Sequence, residues 1–275
     1  MASAPRALKE ALKRGLPDDV VSRLQRELAQ RALATTRPID LSRVELLRGA
    51  STAMLSDPSY LEHDLLPKLG LNDENLHEIP ASLHRYTGYG LLHWQFPNQF
   101  SRYLVELSRY PIESYLEIGT HHGGTFVITV EYLSRFHPIR RAVGVDLGRS
   151  RSLERYAEMR EGVTILQASS QSDQFRAALQ AHGPFDLALI DGDHSAEGCR
   201  SDFALVEDHA RIVVFHDIVS DPTPGVAEVW REVKETRAEK FRLLEFTQQY
   251  PEQEERGESW FGLGVAIPLD VPRDG

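Results

Sequence analysis

Between Pro111 and His216, short apolar runs alternate with amphipathic helical stretches, and that rhythm leaves few folds open. Strands read at 114–118, 141–146, 163–167, 186–190 and 212–216, with helices near 123–136, 151–160, 173–182 and 197–208 between them. Strand, helix, strand in strict succession is the pattern of a parallel sheet closed by right-handed crossovers. A further helix carries Val226, Val229, Trp230 and Val233 on one face. The ending differs: Phe241–Phe246 and Trp260–Ile267 are both strand-like, and the polar stretch from Gln248 to Glu258 between them reads as a loop. Two strands joined without a helix should pair antiparallel.

Ahead of the sheet lies a more helical region. Leu8, Leu12 and Leu16 share one helical face, Pro17 interrupts it, and Val20, Leu24 and Leu28 continue the stripe. Another helical stretch covers 41–56, and Leu61, Leu65, Leu66 and Leu69 predict a short helix. Residues 84–97 concentrate Tyr86, Tyr89, His93 and Trp94, residues that bury area first and secondarily suit a lid over a ligand. Pro97 fits the first turn of a helix that presents Phe100, Tyr103, Leu104 and Leu107 on one side.

The first strand runs into Gly119-Thr-His-His-Gly-Gly124, a turn whose free N–H groups suit a nucleotide-like ligand. The glycine spacing is not that of a dinucleotide fingerprint. Glu117, at the end of the strand, would repel a pyrophosphate and welcome a cation. Asp146 ends the second strand, where a carboxylate can accept both ribose hydroxyls of an adenosine. Ser169, Ser170 and Gln171 follow the third and suit an adenine edge, although the same serines suit a helix N-cap. All of these lie at the C-terminal ends of neighbouring strands, the ligand side of an open α/β sheet.

Asp191-Gly-Asp-His194 follows the fourth strand, and His216-Asp217 ends the fifth. Asp191, Asp193, His194, His216 and Asp217 should therefore converge. Carboxylates gathered without a basic partner in local sequence invite a divalent cation. The carboxylates suit Mg²⁺, and the histidines leave Mn²⁺, Fe²⁺ or Zn²⁺ open. Helix capping by Asp191 or Asp193 and a core hydrogen bond for His216 are the purely structural readings.

The net charge of −10 opposes a nucleic-acid partner. The single cysteine, Cys199, excludes an internal disulfide and fits a packed thiol in a reducing compartment. With no apolar run of membrane-spanning length and no signal-peptide core in Met1–Arg6, the expected location is the cytoplasm, away from membranes. The amphipathic N-terminal stretch offers a surface for homo-oligomer formation.

Leu116-Glu-Ile-Gly-Thr-His-His-Gly-Gly124, Val143-Gly-Val-Asp146 and Asp186–His194 together resemble the successive motifs of class I S-adenosylmethionine-dependent methyltransferases, a similarity that covers about residues 97–267. The fold it implies is α/β: a Rossmann-like sheet of five parallel strands plus a C-terminal antiparallel hairpin. A helical extension and lid at 1–96 would precede a donor-binding domain at 97–275. The donor would be held by Glu117, Gly119, Thr120, Gly123, Asp146, Ser169, Ser170, Gln171 and Asp191. Within the class, Asp191–His194 and Asp217 look most like metal-dependent O-methyltransferases acting on sugars and other natural products. That resemblance implies Asp191 and Asp217 as metal ligands, His194 as general base and a small-molecule acceptor. His216 stands where that group is often acidic, and joins the expected metal ligands. A metal-dependent hydrolase or oxygenase, or a non-catalytic S-adenosylmethionine-binding partner protein, are the other readings these residues leave open.

Overall fold

The computed structural model describes residues 37–273 together with 20, 23–24 and 27–31. The helical face expected at Leu8, Leu12 and Leu16 lies outside the described residues, whereas Val20, Leu24 and Leu28 are helical. Elements are numbered from the helix that leads into the sheet. They run α1 (Pro97–Leu107), β1 (Ser114–Ile118), α2 (Gly124–Leu133), β2 (Arg141–Asp146), α3 (Arg151–Met159), β3 (Val163–Gln167) and α4 (Asp173–His182). There follow β4 (Phe185–Ile190), α5 (Ala196–Val206), β5 (Ala210–His216), α6 (Pro224–Arg237), β6 (Phe241–Phe246), α7 (Pro251–Arg256) and β7 (Leu263–Pro268).

The seven strands form one sheet in the order β3-β2-β1-β4-β5-β7-β6. The first five are parallel, and β7 inserts antiparallel between β5 and β6. The order reverses at β1 and β4, and the carboxyl ends of strands at such a reversal are the ligand position of an open α/β sheet. Alternation along each strand feeds two apolar layers. Tyr115, Leu187 and Leu189 point into one, and Leu116, Ala188 and Ile190 into the other. The second layer is closed by Phe175 of α4, Phe203 of α5 and Trp230 of α6.

The first layer is shared. Val44, Leu47, Leu55, Leu61, Leu65 and Leu66 from the segment ahead of the sheet belong to the same buried cluster as Tyr115, Phe126 and Val127. The leucines expected to line a short helix are all buried, on a helical run from Pro58 to Leu69 that loosens to a wider turn over Leu61–Leu65. His93 is fully buried, its Nε2 lies 3.0 Å from the Leu66 carbonyl, and burial pushes its pKa down to about 4. It is a packing residue.

One expectation fails. The stretch from Gln248 to Glu258 is not a plain loop, because α7 forms inside it. Its signals are local: Pro251 at the first position, Glu252 and Glu254 in the first turn, and left-handed Gly257 at the end. It has no apolar period because it docks through polar groups. Glu252 Oε2 accepts the Ala81 N–H at 2.7 Å, and the buried Gln253 donates to the Glu78 carbonyl at 3.2 Å. Among the described residues, no helix is long and apolar enough to cross a membrane.

Candidate active site

The turn after β1 is built by close approach of backbone. Gly119 has φ +91°, and a Cβ there would overlap the carbonyl of Asp191. A Cβ on Gly123, at φ +100°, would overlap Leu153, and one on Gly124 would overlap the Leu91 carbonyl. Each glycine of the motif thus answers to a neighbour within the protein, before any ligand is considered. Gly119 in particular brings the ends of β1 and β4 into contact, and with them the two halves of the sequence motif set.

Asp146 reaches across to this turn. Its Oδ2 accepts the His121 N–H at 2.8 Å and its Oδ1 the Gly148 N–H at 2.7 Å, so backbone hydrogen bonds fix both oxygens. Thr120 is buried, and its hydroxyl has no hydrogen-bond partner. Glu117 is 1% exposed and accepts a short hydrogen bond from the Tyr115 hydroxyl. Burial raises its pKa well above the usual carboxylate range, and the nearby Asp191 adds to the effect. At the third strand end, the Ser169 hydroxyl accepts from the Gln171 N–H at 3.2 Å, and Ser172 caps α4. The Gln171 amide is committed sideways: Nε2 donates to Asp202 at 2.8 Å, and Oε1 accepts from Ser201 at 2.7 Å. Ser170 lies in the same turn, its hydroxyl 3.5 Å from Gln171 Nε2.

Between β4 and β5 the expected convergence occurs for Asp191, His194, His216 and Asp217, but not for Asp193. His194 Nε2 lies 3.0 Å from Asp191 Oδ1 and 3.4 Å from Asp217 Oδ2. His216 Nδ1 lies 3.2 Å from Asp191 Oδ1 and 3.0 Å from Asp217 Oδ1. Two imidazoles therefore face one pair of carboxylates. Helix α5 is capped by Ser195, whose hydroxyl accepts the Gly198 N–H at 3.0 Å; Asp191 is spared that structural duty. Asp193 instead accepts the Ser195 N–H, 2.9 Å away, and turns from the cluster. Asp217 holds a left-handed backbone, φ +65°, a conformation aspartate tolerates better than most residues.

The charges are strongly coupled. Burial alone would depress His216, but the Asp191 and Asp217 carboxylates hold its pKa well above the ordinary histidine value. His194 is raised for the same reason, against burial, chiefly by Asp191. Asp191 is lowered despite burial, by the two histidines. The cluster is nonetheless unfinished as a hydrogen-bond network. Both ring nitrogens of His216 and Asp217 Oδ1 are buried without a hydrogen bond, because their close contacts are poorly aligned. Asp191, His194 and Asp217 each present a ligand atom within 4.8 Å of the others. Two carboxylates, one with an unsatisfied oxygen, and imidazole nitrogens that ligate once deprotonated fit a divalent cation.

Several residues at the site carry no sequence signal. Glu78 is 3% exposed, accepts the Trp94 indole N–H at 3.0 Å, and is raised by burial and by the nearby Asp217. Asp202, fully buried on α5, anchors Gln171, and burial pushes its pKa up to about 6. Phe261 packs on the His216 ring at 6.0 Å between centroids, and Trp94 meets His121 edge-on at 5.6 Å. Glu78, Trp94 and Phe261 come from loops distant in sequence, where no spacing rule applies, and Asp202 from a helix whose apolar face gives no sign of it. Cys199 is buried, its thiol pushed up to about 12, chiefly by burial, and is inert.

Residues 116–218 match the family model described as a methyltransferase domain. The matched segment runs from β1 to the turn after β5, and the seven-stranded sheet around it has the layout of five parallel strands plus an antiparallel pair. Solved structures similar to the chain include MycE methyltransferase from the mycinamycin biosynthetic pathway, in complex with Mg and SAH. It is 19% identical, with 66% of this chain and 53% of that chain covered and a TM-score of 0.43. The O-methyltransferase TomG from Streptomyces achromogenes, involved in tomaymycin synthesis and bound to SAM, is 20% identical over 73% of this chain and 92% of that one, with a TM-score of 0.44. An O-methyltransferase from Bacillus cereus in complex with SAH is 12% identical over 90% and 99%, with a TM-score of 0.43. The chain spans about half the length of MycE, and no curated protein matches it.

Proposed function

We propose that the protein transfers a methyl group from S-adenosylmethionine to a hydroxyl of a small molecule, a sugar or another natural product, with the help of a divalent cation. The observation that carries the reading is the meeting of Asp191, His194, His216 and Asp217 at the ends of β4 and β5, beside the Gly119 turn. The donor would lie along the carboxyl ends of β1 to β4. Asp146 would take the ribose, Ser169, Ser170 and Gln171 would edge the adenine, and Gly119, Thr120 and Gly123 would line the turn. Glu117 would act from beneath, through its bond to Tyr115.

In the transfer, the acceptor oxygen attacks the methyl carbon in line with the carbon–sulfur bond. That bond breaks, its electron pair stays on sulfur, and the hydroxyl proton leaves to a base. We assign the base to His194. Its side chain is 14% exposed against 6% for His216, so of the two imidazoles it is the one an acceptor can approach. A cation on Asp191 and Asp217 would neutralise the carboxylates that raise the His194 pKa, which would leave the imidazole free to take the proton. Asp191, His216 and Asp217 would hold the cation, Mg²⁺ on the strength of the carboxylates or Mn²⁺ given the imidazole, and it would polarise the acceptor oxygen as a Lewis acid. Most of the acceleration would come from alignment of nucleophile, methyl and sulfur.

Calorimetric titration with S-adenosylhomocysteine (SAH) is the first test, and binding at micromolar levels is expected. No binding would remove the methyltransferase reading for this chain. Methyl transfer to a panel of glycosides and phenols, with EDTA and after re-addition of Mg²⁺ or Mn²⁺, tests the metal. Activity indifferent to EDTA would remove the cation from the scheme and leave His194 with the carboxylates.

A further inference from the structure

We propose a second metal site, formed by Glu74, His121 and His122 and suited to a borderline transition ion such as Zn²⁺. His121 and His122 sit in the turn after β1, while Glu74 comes from the loop ahead of the sheet, 48 residues away from His122. His122 Nε2 lies 2.6 Å from Glu74 Oε1, and His121 Nε2 lies 3.8 Å from Glu74 Oε2. All three residues offer a ligand atom within 4.8 Å of the others. Donors sharing one tetrahedral Zn²⁺ at about 2.0–2.1 Å stand roughly 3.3 Å apart. The two contacts bracket that spacing, one slightly short and one slightly long.

The backbone is arranged for this convergence. Neighbouring side chains on a strand point to opposite faces, and on a helix they diverge by about 100°. Here His121 takes a left-handed conformation, φ +48°, and the consecutive rings stand perpendicular with centroids 4.2 Å apart. Both then face the same carboxylate, one to each oxygen. A simple ion pair needs only one imidazole, and the second adds a donor without adding a hydrogen bond. The surroundings hold the ligands still. Trp94 packs edge-on against His121, the Ser150 hydroxyl donates to the His122 carbonyl at 3.0 Å, and the Asn72 side chain accepts the Glu74 N–H at 2.7 Å.

Two imidazoles and one carboxylate favour Zn²⁺, Co²⁺ or Ni²⁺ over Mg²⁺ or Ca²⁺, which prefer oxygen alone. The described residues supply three ligands, and water would complete a tetrahedral ion. His122 is 6% exposed, His121 37% and Glu74 30% at the side chain, so an ion has an approach from solvent. Occupancy would staple the loop ahead of the sheet to the turn after β1. The ligands include none of Asp191, His194, His216 or Asp217, although His121 and His122 belong to the turn that would line the donor.

The test is calorimetric titration with ZnCl₂ of the full chain carrying Asp191→Asn and Asp217→Asn, which disables the first cluster, without donor or acceptor present. One equivalent of Zn²⁺ should bind, and a large excess of Mg²⁺ should not displace it. Adding Glu74→Gln, or separately His121→Asn, which keeps a residue tolerant of the left-handed backbone, should weaken Zn²⁺ at least tenfold. Circular dichroism checks that each variant is folded. Co²⁺ should give a visible absorption band in the double variant that both additions abolish. Failure of the double variant to bind Zn²⁺, or unchanged affinity in both added variants, would overturn the site. Neither result bears on SAH binding, which tests the transferase reading separately.

Discussion

At the scale of single residues, two histidines contend for the same carboxylates, and the roles divide by access. Replacing His194 with Ala should lower methyl transfer about 100- to 10,000-fold, the usual share of a positioned base. SAH affinity should change less than threefold, because His194 meets the donor residues only through the Asp191 side chain, not through the Asp191 carbonyl that packs on Gly119. Full turnover in the variant would end the base assignment. Asp202 offers a second, different test. Burial, aided by Asp193, raises its pKa from 3.8 to about 6, so the folded state holds its proton more tightly than the unfolded chain. The unfolded state then binds fewer protons between pH 4 and 6, and stability falls as pH rises through that window. The shift corresponds to a penalty on the order of 1–3 kcal/mol above pH 6. Asp202→Asn removes the charge but keeps an acceptor for Gln171. Its thermal midpoint should exceed that of the unsubstituted protein at pH 8, and the two should meet near pH 4. A constant difference across the range would mean that Asp202 is not the titrating group.

At the scale of elements, the strands and helices of the sheet were legible because each follows one period and ends on a recognisable signal. β1 and α4 occupy the residues that the pattern assigns them, and β7 enters antiparallel because no helix long enough to cross the sheet precedes it. Helix α7 was illegible for the opposite reason. It is held by Glu252 and Gln253 against residues 78–81, and polar docking leaves no hydrophobic rhythm. In the site, residues at strand ends were legible because topology fixes where strand ends go. Glu78 and Asp202 were not, since each meets the site through a partner, Trp94 or Gln171, that sequence order does not relate to it. The glycines sharpen the point. Their spacing alone does not distinguish a ligand from a tight turn, whereas the structure gives Gly119 a partner in the Asp191 carbonyl. Gly119→Ala should therefore cost about 1–3 kcal/mol from backbone conformation alone. It should weaken SAH binding as well, because the same contact joins the ends of β1 and β4. A loss of stability with SAH affinity intact would confine that glycine to a structural role.

At the scale of the whole molecule, the segment ahead of the sheet and the sheet itself share one apolar layer, and a buried ionic contact ties them further. Glu131 of α2 is 4% exposed and accepts two hydrogen bonds from Arg48, both 3.0 Å, and one from the Tyr156 hydroxyl, 2.8 Å. Arg48 belongs to the helix Val44–Gly49, so this carboxylate joins the extension, α2 and α3. Burying it without partners would be expensive, and those partners hold it in one geometry. Glu131→Ala should cost about 1–3 kcal/mol, less than a fully buried pair because Arg48 is 46% exposed and can rehydrate. The shared layer makes a stronger demand: extension and sheet should unfold together. Denaturant unfolding followed by tryptophan fluorescence, where Trp94 reports on the extension and Trp230 and Trp260 on the sheet and the loop before β7, should coincide with far-ultraviolet circular dichroism. In Glu131→Ala the single transition should move to lower denaturant with its slope unchanged. Two separated transitions, the extension melting ahead of the sheet, would make the extension an independent unit and would free residues 84–97 to move over the crevice as a lid.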